Sequence, residues 1–227
     1  MSAFEYTIGK TLNLKEEQEK TLQTPKLPAN IILKGMFWTF DVLYGVPRSL
    51  PKILVLEILA RYPYWAWENG AYHLLSKLYS STEKAPQAEV EKALRHIRMG
   101  REAQDNEQCH MLLCADLCHQ KGIRLSWAYH FLLPKIMTLT YFWITRIMYG
   151  VRPVWSFAMN AAFESHAEHE YMLYAQEHPE FEHEAVESVW FQYYPRQRSL
   201  ADLIRRIGLD ERDHMVHSLE EVKRLQG

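Results

Sequence analysis

The chain has 227 residues, 48% of them hydrophobic and 13% aromatic, with a formal net charge of −2 at neutral pH. That is ample apolar material for a substantial core, and it excludes a chain built for disorder. A charge so near zero leaves no electrostatic footprint for nucleic acid, which is not expected as a partner.

The opening stretch MSAFEYTIGKTLNLKEEQEK lacks an apolar signal-peptide core, so no targeting segment is expected. Residues 1–28 read as a polar N-terminal arm that wraps a neighbour or stays loose, and residues 29–227 as a single helical-bundle domain. The spacing predicts an amphipathic helix over Ile31–Tyr44, ended by Gly45 and Pro47. A second helix opens near Pro51, carries Glu57 as the lone charge in ILVLEILA, and runs past Pro63 to about Tyr79. The linker SSTEKAP leads to a long helix from about Gln87 to Gln120, stopped by Gly122. Its three cysteines, Cys109, Cys114 and Cys118, form neither a disulfide framework nor a zinc spacing; they read as small apolar filler in a reducing compartment.

Ser126 begins SWAYHFLLPKIMTLTYFWITRIMYG, the most apolar stretch, interrupted by His130, Pro134, Lys135 and Arg146. A bilayer-spanning helix needs roughly 20 largely apolar residues, and this stretch is too interrupted to supply them. Together with the 31–44 helix, and with Lys34, Arg48, Lys52, Lys135, Arg146 and Arg152 at the edges, it predicts two helices lying on one leaflet of a membrane. Pro153 opens a helix bearing Glu164, and a last helix runs from about Ser199 to Leu225. The polar run from Glu177 to Glu187 between them reads as a solvated loop.

One pattern occurs twice: Glu57 with Glu107 and His110, then Glu164 with Glu211 and His214. The intervals are similar, 107 − 57 = 50 and 211 − 164 = 47 residues. Positions i and i+3 share a helix face, so each Glu-x-x-His can close on one ion from one side. Two helices giving one Glu each and two giving Glu-x-x-His make the ligand set of a di-iron or di-manganese carboxylate site in a ferritin-like four-helix bundle. A third Glu-x-x-His, Glu180/His183, lies in a very polar run and reads as surface. Glu107 and His110 instead fall on the stripe of Met99, Ala103, Met111, Cys114, Leu117 and Cys118, while Ile204, Ile207 and Met215 place Glu211 and His214 inward. Buried carboxylates need cations or protons, and two divalent ions supply +4 against −4. The expected fold class is all-α, a four-helix bundle with two additional membrane-surface helices.

The segments VLEILARYPYWAW, NEQCHMLL, FESHAEHEY and DERDH resemble, in order and spacing, the four metal-ligand segments of the alternative oxidase family. The resemblance covers about Phe37 to Met215, and Asp41 in DVLY points to the plastid terminal oxidase branch. It implies a di-iron enzyme on a membrane surface, bacterial or organellar, commonly a homodimer, that oxidises quinol and reduces O2 to water without pumping protons. It puts the metal ligands at Glu57, Glu107, His110, Glu164, Glu211 and His214, and the redox-active tyrosine at Tyr171. Asn106 and Asp210 match positions that support the ligands, where a carboxylate can hold the N–H of a metal-bound histidine. Leu56 and Ala167 match walls of the quinone pocket. Lys52 stands at its mouth where the family usually has Arg, and lacks the planar two-pronged fork. His166 and Glu170 depart from most members, His166 fitting the plastid branch, and a histidine often found shortly before the third ligand is replaced by Phe157 and Ala158. The same ligands would also serve a di-iron hydroxylase or desaturase acting on a lipid or quinone, or a ferritin-like iron-binding protein without quinol activity.

Overall fold

The computed structural model describes residues 6–80 and 85–227. Residues 1–5 of the arm and 81–84 of the expected linker lie outside the described residues. Among the described residues all regular structure is helical, in seven α-helices: α1 Leu14–Gln23, α2 Ile31–Tyr44, α3 Leu50–Tyr79, α4 Gln87–Gln120, α5 Leu133–Val151, α6 Pro153–Glu177 and α7 Leu200–Gln226. The all-α class read from the sequence is the class observed.

Local chemistry sets the boundaries. Asn30 and Ser199 cap α2 and α7 by accepting hydrogen bonds from the backbone N–H of Leu33 and Asp202. Gly45 ends α2 at φ 83°, and Gly122 ends α4 at φ 65°, conformations that a Cβ disfavours. After α4 the Gly122 N–H donates to His119 O and the Ile123 N–H to Cys118 O, a Schellman closure. Pro63 lies inside α3 without ending it. A mid-helix proline costs about 3 kcal/mol in isolation, and burial of Leu59, Ala60, Tyr64 and Trp67 around it offsets that.

The chain divides into two compact units, Leu54–Ser156 and Met1–Ile53 with Phe157–Gly227. In the first, α3 and α4 approach so closely at Gly100 that a Cβ there would sit 2.8 Å from the carbonyl oxygen of Tyr64. Trp67, fully buried, donates from Nε1 to Ser156 Oγ at 2.6 Å, and its ring meets Tyr64 edge-on. His96 and Tyr149 form a buried pair 2.6 Å apart. A π-helical turn over Ala128–Leu132 leads into α5. The solvent face of α5 is apolar along its length: Leu132, Ile136, Leu139, Trp143, Ile147 and Val151 recur at steps of three or four and are all exposed, Val151 by 71%. Lys135 and Arg152 lie over the rings of Phe131 and Trp155.

In the second unit the described part of the arm is held in place. Its α1 is docked on α6 and α7 by buried polar groups: Gln18 Nε2 donates to Met172 O, Thr21 Oγ1 to Glu168, and Arg212 to Glu17 and Thr21. Thr7, ahead of α1, bonds Asp213 through both its N–H and its hydroxyl. Ala161 of α6 and Met215 and Val216 of α7 form a buried cluster, with Tyr6, Leu27 and Leu219 packed against it. The close approach of α6 to α7 is at Gly208, where a Cβ would lie 2.9 Å from Tyr171 Cβ. On α2, Ile31, Trp38 and Val42 are exposed on one side, as on α5. The basic edge is less free than expected, since Arg48 pairs with Glu170 and Glu177, and Lys52 with Asp41. The 177–187 run is also more ordered than a solvated loop. Phe181 and Val186 are buried, and Arg205 grips Glu182 in a 3-10 turn over Pro179–Glu182. Glu180 and His183 are exposed, as expected.

Among the described residues no helix is long and apolar enough to cross a membrane.

Candidate metal centre

Each unit carries one buried set of two carboxylates and an imidazole. In Leu54–Ser156, α3 supplies Glu57 and α4 supplies Glu107 and His110, none more than 1% exposed. His110 Nδ1 lies 3.3 Å from a Glu57 oxygen and 3.5 Å from a Glu107 oxygen. In the other unit, α6 supplies Glu164 and α7 supplies Glu211 and His214, with His214 Nδ1 3.4 Å from Glu211 Oε2. Within each triad one ligand atom per residue lies within 4.8 Å of the others, close enough for a common ion.

Glu-x-x-His puts an acid and a histidine on one face of α4 and of α7, and the neighbouring helix brings the remaining acid. Two carboxylates buried to this degree repel and lose hydration, so such a triad is stable when a cation or protons accompany it. Carboxylate oxygen and imidazole nitrogen together suit a divalent first-row metal such as Fe²⁺ or Mn²⁺, and the residues present fit that group.

The surroundings bind the ligands. Asn160, one turn before Glu164, donates to Glu164 Oε1 at 3.1 Å and to Ser218 Oγ at 3.3 Å. Asp210 accepts from Tyr194 Oη at 2.5 Å and from Arg206. Asp213 is raised above the usual carboxylate range by burial, against the two bonds from Thr7. Tyr171 is 1% exposed, and its hydroxyl has no hydrogen-bond partner among the described residues. Leu56 and Ala167 are buried, and Asn106 is half-buried.

Lys52 is held by the loop after α2. Its ammonium donates to Asp41 at 2.7 Å, Gly45 O at 2.6 Å and Val46 O at 3.3 Å, which uses its three N–H groups to fasten the loop after α2. Nearby, the His166 ring stacks on Phe37 at 3.9 Å and meets Lys26 Nζ. Burial, with Lys26 adding to it, pushes His166 down to about 4, so it is neutral at pH 7.

Three groups beside the ligands went unread in the sequence: Asn160, Arg61 and the Glu168/Arg212 pair. Asn160 was legible in principle, since it stands four residues before Glu164 on one helix face. Arg61 and Arg212 reach partners on neighbouring helices, which spacing along one helix does not reveal. The family model for alternative oxidase matches residues 7–220. No curated protein matches the chain.

Proposed function

Because the chain belongs to the alternative oxidase family, we propose that it is a membrane-surface quinol oxidase, coupling ubiquinol or plastoquinol oxidation to four-electron reduction of O2 to water without pumping protons. The observation that carries this reading is the recurrence of a buried Glu, Glu, His triad in each unit of a chain matched by that family. In this reading each triad holds one iron ion, two per chain. When bound, that pair supplies the electrons that O2 takes up and receives those that quinol gives.

The protein's own residues do the rest. Four carboxylates offset the +4 of two ferrous ions, with both histidines neutral. Asn160 fixes the rotamer of Glu164, and Tyr194 with Arg206 fixes Asp210 beside Glu211, supporting the ligands from behind. Tyr171 offers a buried phenol whose hydrogen is not engaged elsewhere among the described residues, suited to giving up an electron and a proton. By the family resemblance Leu56, Ala167 and Lys52 are assigned to quinone binding and Asn106 to support of the ligand after it, while Lys52 also fastens Gly45 and Val46. The exposed apolar stripes of α2 and α5 lie on a lipid surface, their aromatic rings and flanking cations at headgroup level, and the protein is a homodimer.

The test is O2 uptake by iron-loaded protein in liposomes with a short-chain ubiquinol or plastoquinol, against Glu107→Ala. About one O2 per two quinols, absent in the variant, supports the assignment; bound iron without quinol-dependent uptake refutes it.

A further inference from the structure

The two triads are built on the same plan but set in different charge. Four residues after the first glutamate, the next turn carries Arg61 in one half and Glu168 in the other, since 61 − 57 = 168 − 164 = 4. Each of these reaches the residue directly after the second glutamate: Arg61 Nη1 donates to Gln108 Oε1, and Glu168 Oε1 accepts from Arg212 Nε at 2.8 Å. The cross-link between ligand helices is thus repeated at corresponding positions with its polarity exchanged.

Its charge balance differs too. Gln108 is neutral, and among the described residues no carboxylate lies within ion-pair distance of Arg61, whose Nε is buried without a hydrogen-bond partner. The carboxylates whose field reaches it are Glu107 and Glu57, both ligands. In the other half Arg212 is shared by Glu168 and Glu17, and Glu17 is paired in turn with Lys20 at 2.6 Å, so the four groups sum to zero, with Lys20 at the exposed end. Glu168 is fully buried, and its Oε2 has no partner among the described residues. One triad is therefore flanked by a net +1, the other by a network that balances its own charge.

Building on the two-metal reading above, we propose that Arg61 makes the two metal positions unequal: the Glu57/Glu107/His110 triad is the weaker cation site and retains the lower positive charge when the two ions differ. The Glu164/Glu211/His214 triad fills first. An uncompensated like charge disfavours a cation, and Arg61 need not touch the ion to act, which makes it a positioning residue.

The experiment is anaerobic titration of the chelated full-length protein with Co²⁺, read by its visible absorption and by bound metal per chain, without reference to turnover. The parent takes up two ions in two resolved steps, and Glu57→Gln removes the weaker. Arg61→Met tightens the weaker step by about tenfold or more, a gain that damage to the fold would not produce. Arg61→Lys, which keeps the charge, stays within about threefold of the parent. A weaker step that is unmoved or loosened in Arg61→Met, or a Lys variant that shifts as far as Met, overturns the proposal. Failure of the parent to bind two ions refutes the two-metal reading itself.

Discussion

Replacing Arg212 with Met keeps most of the side chain's length and removes the guanidinium that lies between Glu17 and Glu168. The lost contacts are 2.8 Å to Glu168 and 2.5 Å to Glu17, with a further bond to Thr21 Oγ1 at 2.7 Å. At an effective dielectric near 20, each charged contact is worth about 6 kcal/mol before desolvation. Much of that offsets the cost of burying the ions, but deleting one partner strands the other, and such deletions cost about 3–5 kcal/mol. That is a large part of the roughly 5–15 kcal/mol by which a domain is stable. Urea unfolding of the chelated protein, followed by far-ultraviolet circular dichroism, measures it. Adding Glu168→Gln removes the stranded buried charge, and the double variant regains about 1–3 kcal/mol over Arg212→Met alone. The single variant also exposes α1 to proteolysis, since Glu17 and Thr21 are the arm's anchors to that guanidinium. A cost below about 1 kcal/mol, or a double variant no more stable than the single, would refute the reasoning.

Gly100→Ala destabilises by about 1–3 kcal/mol despite alanine's higher helix propensity, because the new methyl meets the Tyr64 carbonyl at 2.8 Å; thermal unfolding checks the sign. The Arg205 hydrogen bond holds Glu182 below its ordinary 4.5, so the folded state binds fewer protons there than the unfolded one. Its stabilisation is present above pH 4.5 and drains away as pH falls through the folded pKa. Glu182→Gln therefore costs about 1–3 kcal/mol at pH 7, and the gap to the parent closes as pH drops below 4.5, measured by denaturant unfolding across that range. Trp143→Glu with Ile147→Glu on α5 abolishes co-sedimentation with anionic phospholipid vesicles and leaves bound metal per chain unchanged; retained vesicle binding would count against α5 as the lipid-facing surface.

The sequence was most legible where side chains follow a helical period. The bounds of α2 and α4 and the burial of Glu107, His110, Glu211 and His214 all follow from an apolar stripe that carries a few charges. The α1 helix escaped because its buried face is polar: Glu17, Gln18 and Thr21 point inward, so LKEEQEKTLQ shows no hydrophobic periodicity. Phe181 and Val186 are lone apolar residues among acids, and Phe181 is buried against the rings of Tyr174 and His178, contacts that no hydrophobic period announces. The role of Lys52 comes from the family resemblance, which carries no sign that Asp41 and two carbonyls occupy its N–H groups.

Each triad closes inside a single unit, across 50 residues from Glu57 to Glu107 or 47 from Glu164 to Glu211. Contacts of such range form through a helical hairpin, among the faster routes a chain can take. The difficulty is that forming either hairpin drives two carboxylates together, so the hairpin must capture a cation or protons as it closes. Maturation of this protein is then governed as much by supply as by folding rate. Where divalent metal is scarce, the carboxylates take up protons instead, and later metal binding releases those protons.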